Sequence, residues 1–112
     1  MSSDQIDVQT FKIEVSDPDQ GTFYLVNGVE SPRIYLRVGI KYTFDVDAKG
    51  HPFYLTTDAR GGTRHQRGSV TSTMPLEVGR LEFTPDQDQV GMHLYYQCDL
   101  HPGMGYKLHV VS

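Results

Sequence analysis

Apolar and polar residues alternate along most of this chain in short runs. Phe11, Ile13 and Val15 alternate with Lys12 and Glu14, and the run Thr22-Phe23-Tyr24-Leu25-Val26 follows a turn at residues 16–21. Ile34, Leu36 and Val38 share one side of the run after Pro32, and residues 41–46 alternate again. A period of two is the mark of a half-buried strand. Further extended runs are read at residues 53–57, 69–73, 80–84, 93–97 and 106–111. Between them stand turn formers: Asn27-Gly28, which tolerates positive φ and favours a tight reversal, Gly39-Ile40, and Pro75 with Gly79 framing another turn. Residues 85–89 read as a polar connector with room for one helical turn. Residues 58–68 are irregular and form a loop. Short strands with frequent turns, and no useful helical period, point to an all-β antiparallel sandwich or barrel.

Composition refines this picture only a little. With 112 residues, 38% hydrophobic and 21% charged, the chain is expected to be one globular domain over residues 1–112, with the polar residues 1–9 flexible. A net charge of −4 argues against a general nucleic-acid binder, because phosphate contacts need a basic face. No apolar run is long enough to span a bilayer, so no integral membrane segment is expected. Met1-Ser2-Ser3-Asp4-Gln5 lacks the apolar core of a signal peptide, as a mature form after leader removal would also. The single cysteine excludes an internal disulfide, leaving a thiol that is inert, reactive or metal-bound.

That cysteine sits in the most telling stretch, Tyr95-Tyr96-Gln97-Cys98-Asp99-Leu100-His101-Pro102-Gly103-Met104-Gly105. Thiolate, imidazole and thioether fall at three-residue steps in one loop, and His51 follows a strand end far upstream. Two imidazoles and a thiolate in a plane with a long axial thioether make a blue-copper electron-transfer site. Taken singly, each residue has a plainer reading: Cys98 as a small buried hydrophobe, His51 as a loop histidine, Met104 as packing. His65, His93 and His109 are weaker metal candidates. No paired carboxylates or Ser/His/Asp arrangement indicates acid–base or nucleophilic catalysis.

Cys-x-x-His-x-x-Met after an aromatic strand, with a lone histidine half a chain earlier, resembles the cupredoxin (type 1 blue copper) family. The ligand loop is of plastocyanin/amicyanin type, in its shorter form. The resemblance is clearest from about Ile34 onward. It implies a Greek-key sandwich or barrel of seven to nine strands and one Cu(I)/Cu(II) ion held by His51, Cys98, His101 and Met104. It also implies a monomeric one-electron carrier that is not an enzyme, located in the periplasm, a lumen or outside the cell. Redox protein partners would dock near His101, at a patch of Leu100, Pro102 and Met104. Pro52 departs from the family pattern, since many members carry Asn or Ser there to tie the two ligand loops.

Three other readings stay open: a copper delivery, storage or sensing domain with the same ligands, a metal-free interaction module, and a variant site in which Asp99 or Glu82 approaches the metal. Arg60, Arg64 and Arg67 either steer an acidic partner or simply decorate a solvated loop.

Overall fold

The alternating runs fold as strands because each can bury one side chain in two while its backbone pairs with a neighbour. The structure, a computed structural model, describes residues 9–16 and 22–112. Residues 1–8 of the expected lead-in and 17–21 of the expected turn lie outside the described residues. Gln9 is held, since its carbonyl accepts the Thr43 N–H at 2.7 Å.

Among the described residues there are nine strands: β1 (Thr10–Val15), β2 (Tyr24–Val26), β3 (Val29–Glu30), β4 (Ile34–Arg37), β5 (Tyr42–Asp47), β6 (Phe53–Thr56), β7 (Val78–Phe83), β8 (Leu94–Cys98) and β9 (Lys107–Val111). They form one sheet ordered β3-β2-β1-β5-β7 and a second ordered β4-β9-β8-β6. The all-β sandwich of seven to nine strands is therefore as expected. Two pairs, β1 with β5 and β4 with β9, run parallel where the sequence indicated antiparallel pairing throughout. Alternation reports which face is buried but carries no information on strand direction.

Asn27 (φ 50°) and Gly28 (φ 85°) make the expected tight reversal, which also adds the short strand β3. Asp86 caps a 3-10 turn at Gln87–Gln89 by accepting the Asp88 N–H, while Gln89 Oε1 accepts the Asp86 N–H. The strand expected over residues 69–73 does not form, and only Ser69 bridges to Thr56. There Ser69 Oγ donates to the Thr71 carbonyl, a local bond that competes with a ladder.

The core between the sheets is aromatic at one end. Phe53 packs edge-on to Tyr24 at 5.2 Å and against Phe44 at 5.6 Å, and Tyr96 lies 6.0 Å from Phe53. Burying such a ring contributes on the order of 2–3 kcal/mol, which makes this cluster a firm floor beneath the adjoining loops. All four residues of β6 are buried, because the loop after it covers the face that would otherwise meet solvent. Thr56 Oγ1 donates to the Arg67 carbonyl at 2.6 Å, and the Thr57 N–H to the Gly68 carbonyl at 3.0 Å. No helix among the described residues is long and apolar enough to cross a membrane.

Candidate metal centre

Strand pairing explains why residues distant in sequence meet. β6 and β8 are antiparallel neighbours with Phe53 opposite Cys98, so the start of one and the end of the other share one pole of the sandwich. His51 lies just before β6, in a turn closed by its own N–H donating to the Ala48 carbonyl at 2.8 Å. Gly50, at φ 86°, supplies the left-handed backbone which that turn requires. Glu77 Oε1 accepts the Gly50 N–H at 2.6 Å, and the Tyr24 hydroxyl donates to the His51 carbonyl at 2.7 Å. The histidine backbone is thus held from two sides.

Cys98 Sγ lies 4.0 Å from His51 Nδ1 and 3.7 Å from His101 Nδ1. The two imidazole rings are 4.8 Å apart between centroids, and the three donor atoms all lie within 4.8 Å of one another. Ligands of a first-row ion such as zinc bond at roughly 2.0–2.3 Å, so two of them sharing one ion are separated by at most about 4.3 Å. Both sulfur–nitrogen distances meet that limit. Each histidine, moreover, presents the same ring nitrogen to the sulfur. The donor set is therefore of the right chemistry for a soft or borderline metal ion, with each imidazole within reach of an ion bound to the sulfur.

Access to the three is graded. Cys98 is fully buried, His51 is half-buried and His101 is exposed. Desolvation, followed by the nearby His101 ring, lowers the His51 pKa, with the Glu77 carboxylate pulling weakly the other way. The imidazole is thereby kept in the neutral form that a metal requires. Burial, and then the Cys98 thiol beside it, raise the Tyr24 pKa far above the usual phenol range, so Tyr24 stays a proton donor.

Met104 is buried at 1% exposure and belongs to the same apolar cluster as Cys98. Its carbonyl accepts the Tyr24 N–H at 3.0 Å and the Ser31 hydroxyl at 2.9 Å. A side chain so enclosed cannot line an exposed docking patch, and Leu100 is half-buried against the core. The expected patch of Leu100, Pro102 and Met104 therefore reduces at the surface to Pro102 and Gly103 beside His101. Neither Asp99 nor Glu82 joins the donor cluster. Asp99 Oδ1 accepts the Gln66 N–H at 2.9 Å, and exposed Glu82 faces Lys41 at 3.5 Å. His109 stacks on Tyr35 at 5.2 Å, His65 and His93 are exposed, and none of the three joins the cluster.

Pro52 cannot tie the two ligand loops through its side chain, but its carbonyl does so, accepting the Asp99 N–H at 2.9 Å. A second brace was not legible in the sequence. The loop after β6 clasps the Cys98–Met104 segment through main-chain bonds: Gly62 N–H to Cys98 carbonyl (2.8 Å), Arg64 N–H to Asp99 carbonyl (2.8 Å) and Gly103 N–H to Arg60 carbonyl (2.7 Å). Gly62, at φ 73°, lies so near that an added Cβ would fall 2.6 Å from Pro102 N. The Gly61-Gly62 pair in an irregular loop was the only available sign of this close approach.

Gln97 joins the same assembly from within. It is buried, donates from Nε2 to the Ala59 carbonyl at 2.8 Å, and accepts the Gly105 N–H on Oε1 at 3.1 Å. Gln97→Leu keeps the volume but strips both partners, and is expected to cost about 2 kcal/mol. Urea unfolding measures this, and a loss below about 0.5 kcal/mol would mean that the two freed groups find water instead.

No family model matches the chain. Among curated proteins, Protein Skeletor isoforms B/C of Drosophila melanogaster is 27% identical over an alignment of 152 residues that takes in 80% of this chain. Isoforms D/E match to the same degree, and the chain spans only 19% and 10% of the two relatives' lengths. Among solved structures, a variant rusticyanin superposes with a TM-score of 0.62 at 20% identity, covering 91% of this chain and 76% of that one. Rusticyanin from Thiobacillus ferrooxidans gives 0.58 at 20% identity and the same coverage. Rusticyanin is described as a copper protein. The likeness extends over both sheets, and the chain has the cupredoxin fold, a Greek-key β-sandwich.

Proposed function

We propose that this cupredoxin-fold chain is a single domain over residues 1–112 that would hold one copper ion through His51, Cys98 and His101, with Met104 as a further, weaker ligand. In this reading it carries one electron between redox protein partners and is not an enzyme. The observation that carries the reading is the convergence of two imidazole Nδ1 atoms on one thiol sulfur, at 4.0 and 3.7 Å, from loops before β6 and after β8. Copper, when bound, supplies the Cu(I)/Cu(II) couple.

The chain's part is to keep the donors still. Cys98 is anchored in a strand, His51 in a turn bonded to Glu77 and Tyr24, and the His101 loop in the clasp from residues 60–64. Donors that do not rearrange between oxidation states keep the barrier to electron transfer low. His101, exposed at the same pole, offers a partner the shortest approach. The main-chain bond from Asp99 to Pro52 supplies the rigidity that the proline side chain cannot, which supports a carrier over a loose delivery site.

Adding Cu(II) to the metal-free protein tests this. An intense orange-red absorption with a narrow copper hyperfine splitting is expected, whereas a pale and easily stripped site would favour copper delivery. Absence of uptake would end both. Because the donors are assembled only in the folded chain, copper is also expected to stabilise it by about 4 kcal/mol at free metal a thousandfold above Kd. That corresponds to a rise in melting midpoint of roughly 10 °C or more, and a midpoint unmoved by copper counts against the site.

A further inference from the structure

Loop 58–68 has a second feature that bracing alone does not require. It carries three arginines, Arg60, Arg64 and Arg67, against one carboxylate, Asp58. Its formal charge of +2 stands on a molecule of −4, so the remaining residues carry −6. All three arginines are exposed, and among the described residues none has a carboxylate within ion-pair distance.

The loop's backbone is fixed where its side chains are free. Arg64 (φ 64°) and Gln66 (φ 52°) both adopt left-handed conformations that cost a non-glycine residue about 1 kcal/mol. Both N–H groups are tethered to Asp99, Arg64 to its carbonyl and Gln66 to its carboxylate, and Asp99 follows Cys98 directly. Arg60 binds Gly103 through its carbonyl. The arginines are thus mounted on a strained, rigid frame bolted to the segment that carries His101. A surface cavity of about 320 Å³ is lined by Asp58, Arg60, Thr63 and Arg67 together with Pro102, the neighbour of His101.

We propose that Arg60, Arg64 and Arg67 form a docking collar for an acidic protein partner, whose surface carboxylates they engage beside His101. The proposal rests on the reading of His101 as the electron edge. Guanidinium forks bind carboxylates in bidentate fashion, and a pre-fixed loop loses little entropy on doing so. The loop's charge of +2 on a molecule of −4 also favours the approach of an acidic partner over a basic one.

The test uses the triple variant R60Q/R64Q/R67Q, with R60Q/R67Q as a second variant that leaves the strained position alone. Metal-free, isotope-labelled protein is titrated with decaglutamate, with decalysine and with a short single-stranded RNA, following backbone amide shifts at low salt. Decaglutamate is expected to move amides of residues 58–68, His101 and Gly103, with affinity about tenfold weaker in the triple variant and lost near 1 M salt. Decalysine is expected to move none of them. Unchanged decaglutamate binding in both variants overturns the proposal, as does RNA binding tenfold tighter than decaglutamate at the same amides.

A second arm uses copper-loaded protein reduced beforehand to Cu(I), from which hexacyanoferrate(III), an anionic oxidant, takes one electron to become hexacyanoferrate(II). The bimolecular rate of this oxidation is expected to fall about tenfold in the triple variant at low salt, and an equal rate overturns the proposal. Failure to take up copper is seen before this arm begins and sinks the metal reading alone, since the peptide titration needs no metal.

Discussion

Replacing Cys98 by serine is expected to abolish the intense visible absorption proposed for the copper-loaded protein while the sandwich still folds. The thiol occupies the last position of β8, fully buried, with both imidazoles within 4.0 Å of its sulfur. A bound metal deprotonates a thiol outright, and the resulting thiolate–copper bond is the source of both the colour and much of the affinity. A serine hydroxyl stays protonated at neutral pH and offers a hard oxygen in place of a soft sulfur. The structural cost is smaller, about 1–2 kcal/mol for a buried hydroxyl that lacks a good partner. Visible and electron paramagnetic resonance spectra of copper-loaded variant and wild type, with a melt of each metal-free form, separate the two effects. A variant that kept the colour would move the centre away from Cys98 altogether.

The largest loss of stability is expected at Gly105. Its φ is not left-handed, yet any Cβ there would overlap the Tyr96 carbonyl oxygen, which belongs to the neighbouring strand and cannot give way. The chain is pinched at this point by the Gly105 N–H on Gln97, the Tyr96 N–H on the Tyr106 carbonyl and the Tyr24 N–H on the Met104 carbonyl. Gly105→Ala must spread β8 from the return of the ligand loop, at a cost of about 3–4 kcal/mol. Gly103→Ala is the control. Gly103 has φ 75° but open space around it, so only the left-handed backbone is penalised, by about 1 kcal/mol. Chemical denaturation of both variants decides the matter: equal losses would show that backbone conformation, and not the close contact with Tyr96, explains the glycine. Because Met104 precedes Gly105, the copper spectrum of Gly105→Ala is also expected to differ from wild type.

Much of this protein was written locally. Period-two runs such as Ile34 to Val38 and Tyr42 to Val46 marked strands, and Asn27-Gly28 marked a hairpin, because those signals depend on neighbours a few residues apart. Cys98, His101 and Met104 were recognisable together for the same reason, being carried by one short loop. Where a local signal misled, a local competitor explains it: residues 69–73 read as an extended run, and a hydroxyl bond within the loop took the backbone instead. Met104 was expected at the surface and is buried instead, because spacing places a residue in a loop without saying which way its side chain turns.

The sequence by itself determined the element type, the chemistry of the donors and the turn residues that let the loops close, since each is a property of a residue and its immediate neighbours. Only the tertiary structure decided that β1 joins β5 and β4 joins β9 in parallel, that the start of β6 meets the end of β8, and that the arginine loop is bonded to the Cys98–Met104 segment. Those are contacts between backbone groups far apart in the chain, and a backbone amide reads the same whatever side chain it carries. Gly61, Gly62 and Gly105 show the limit best, for an absent side chain becomes meaningful only when the atom it makes room for is known.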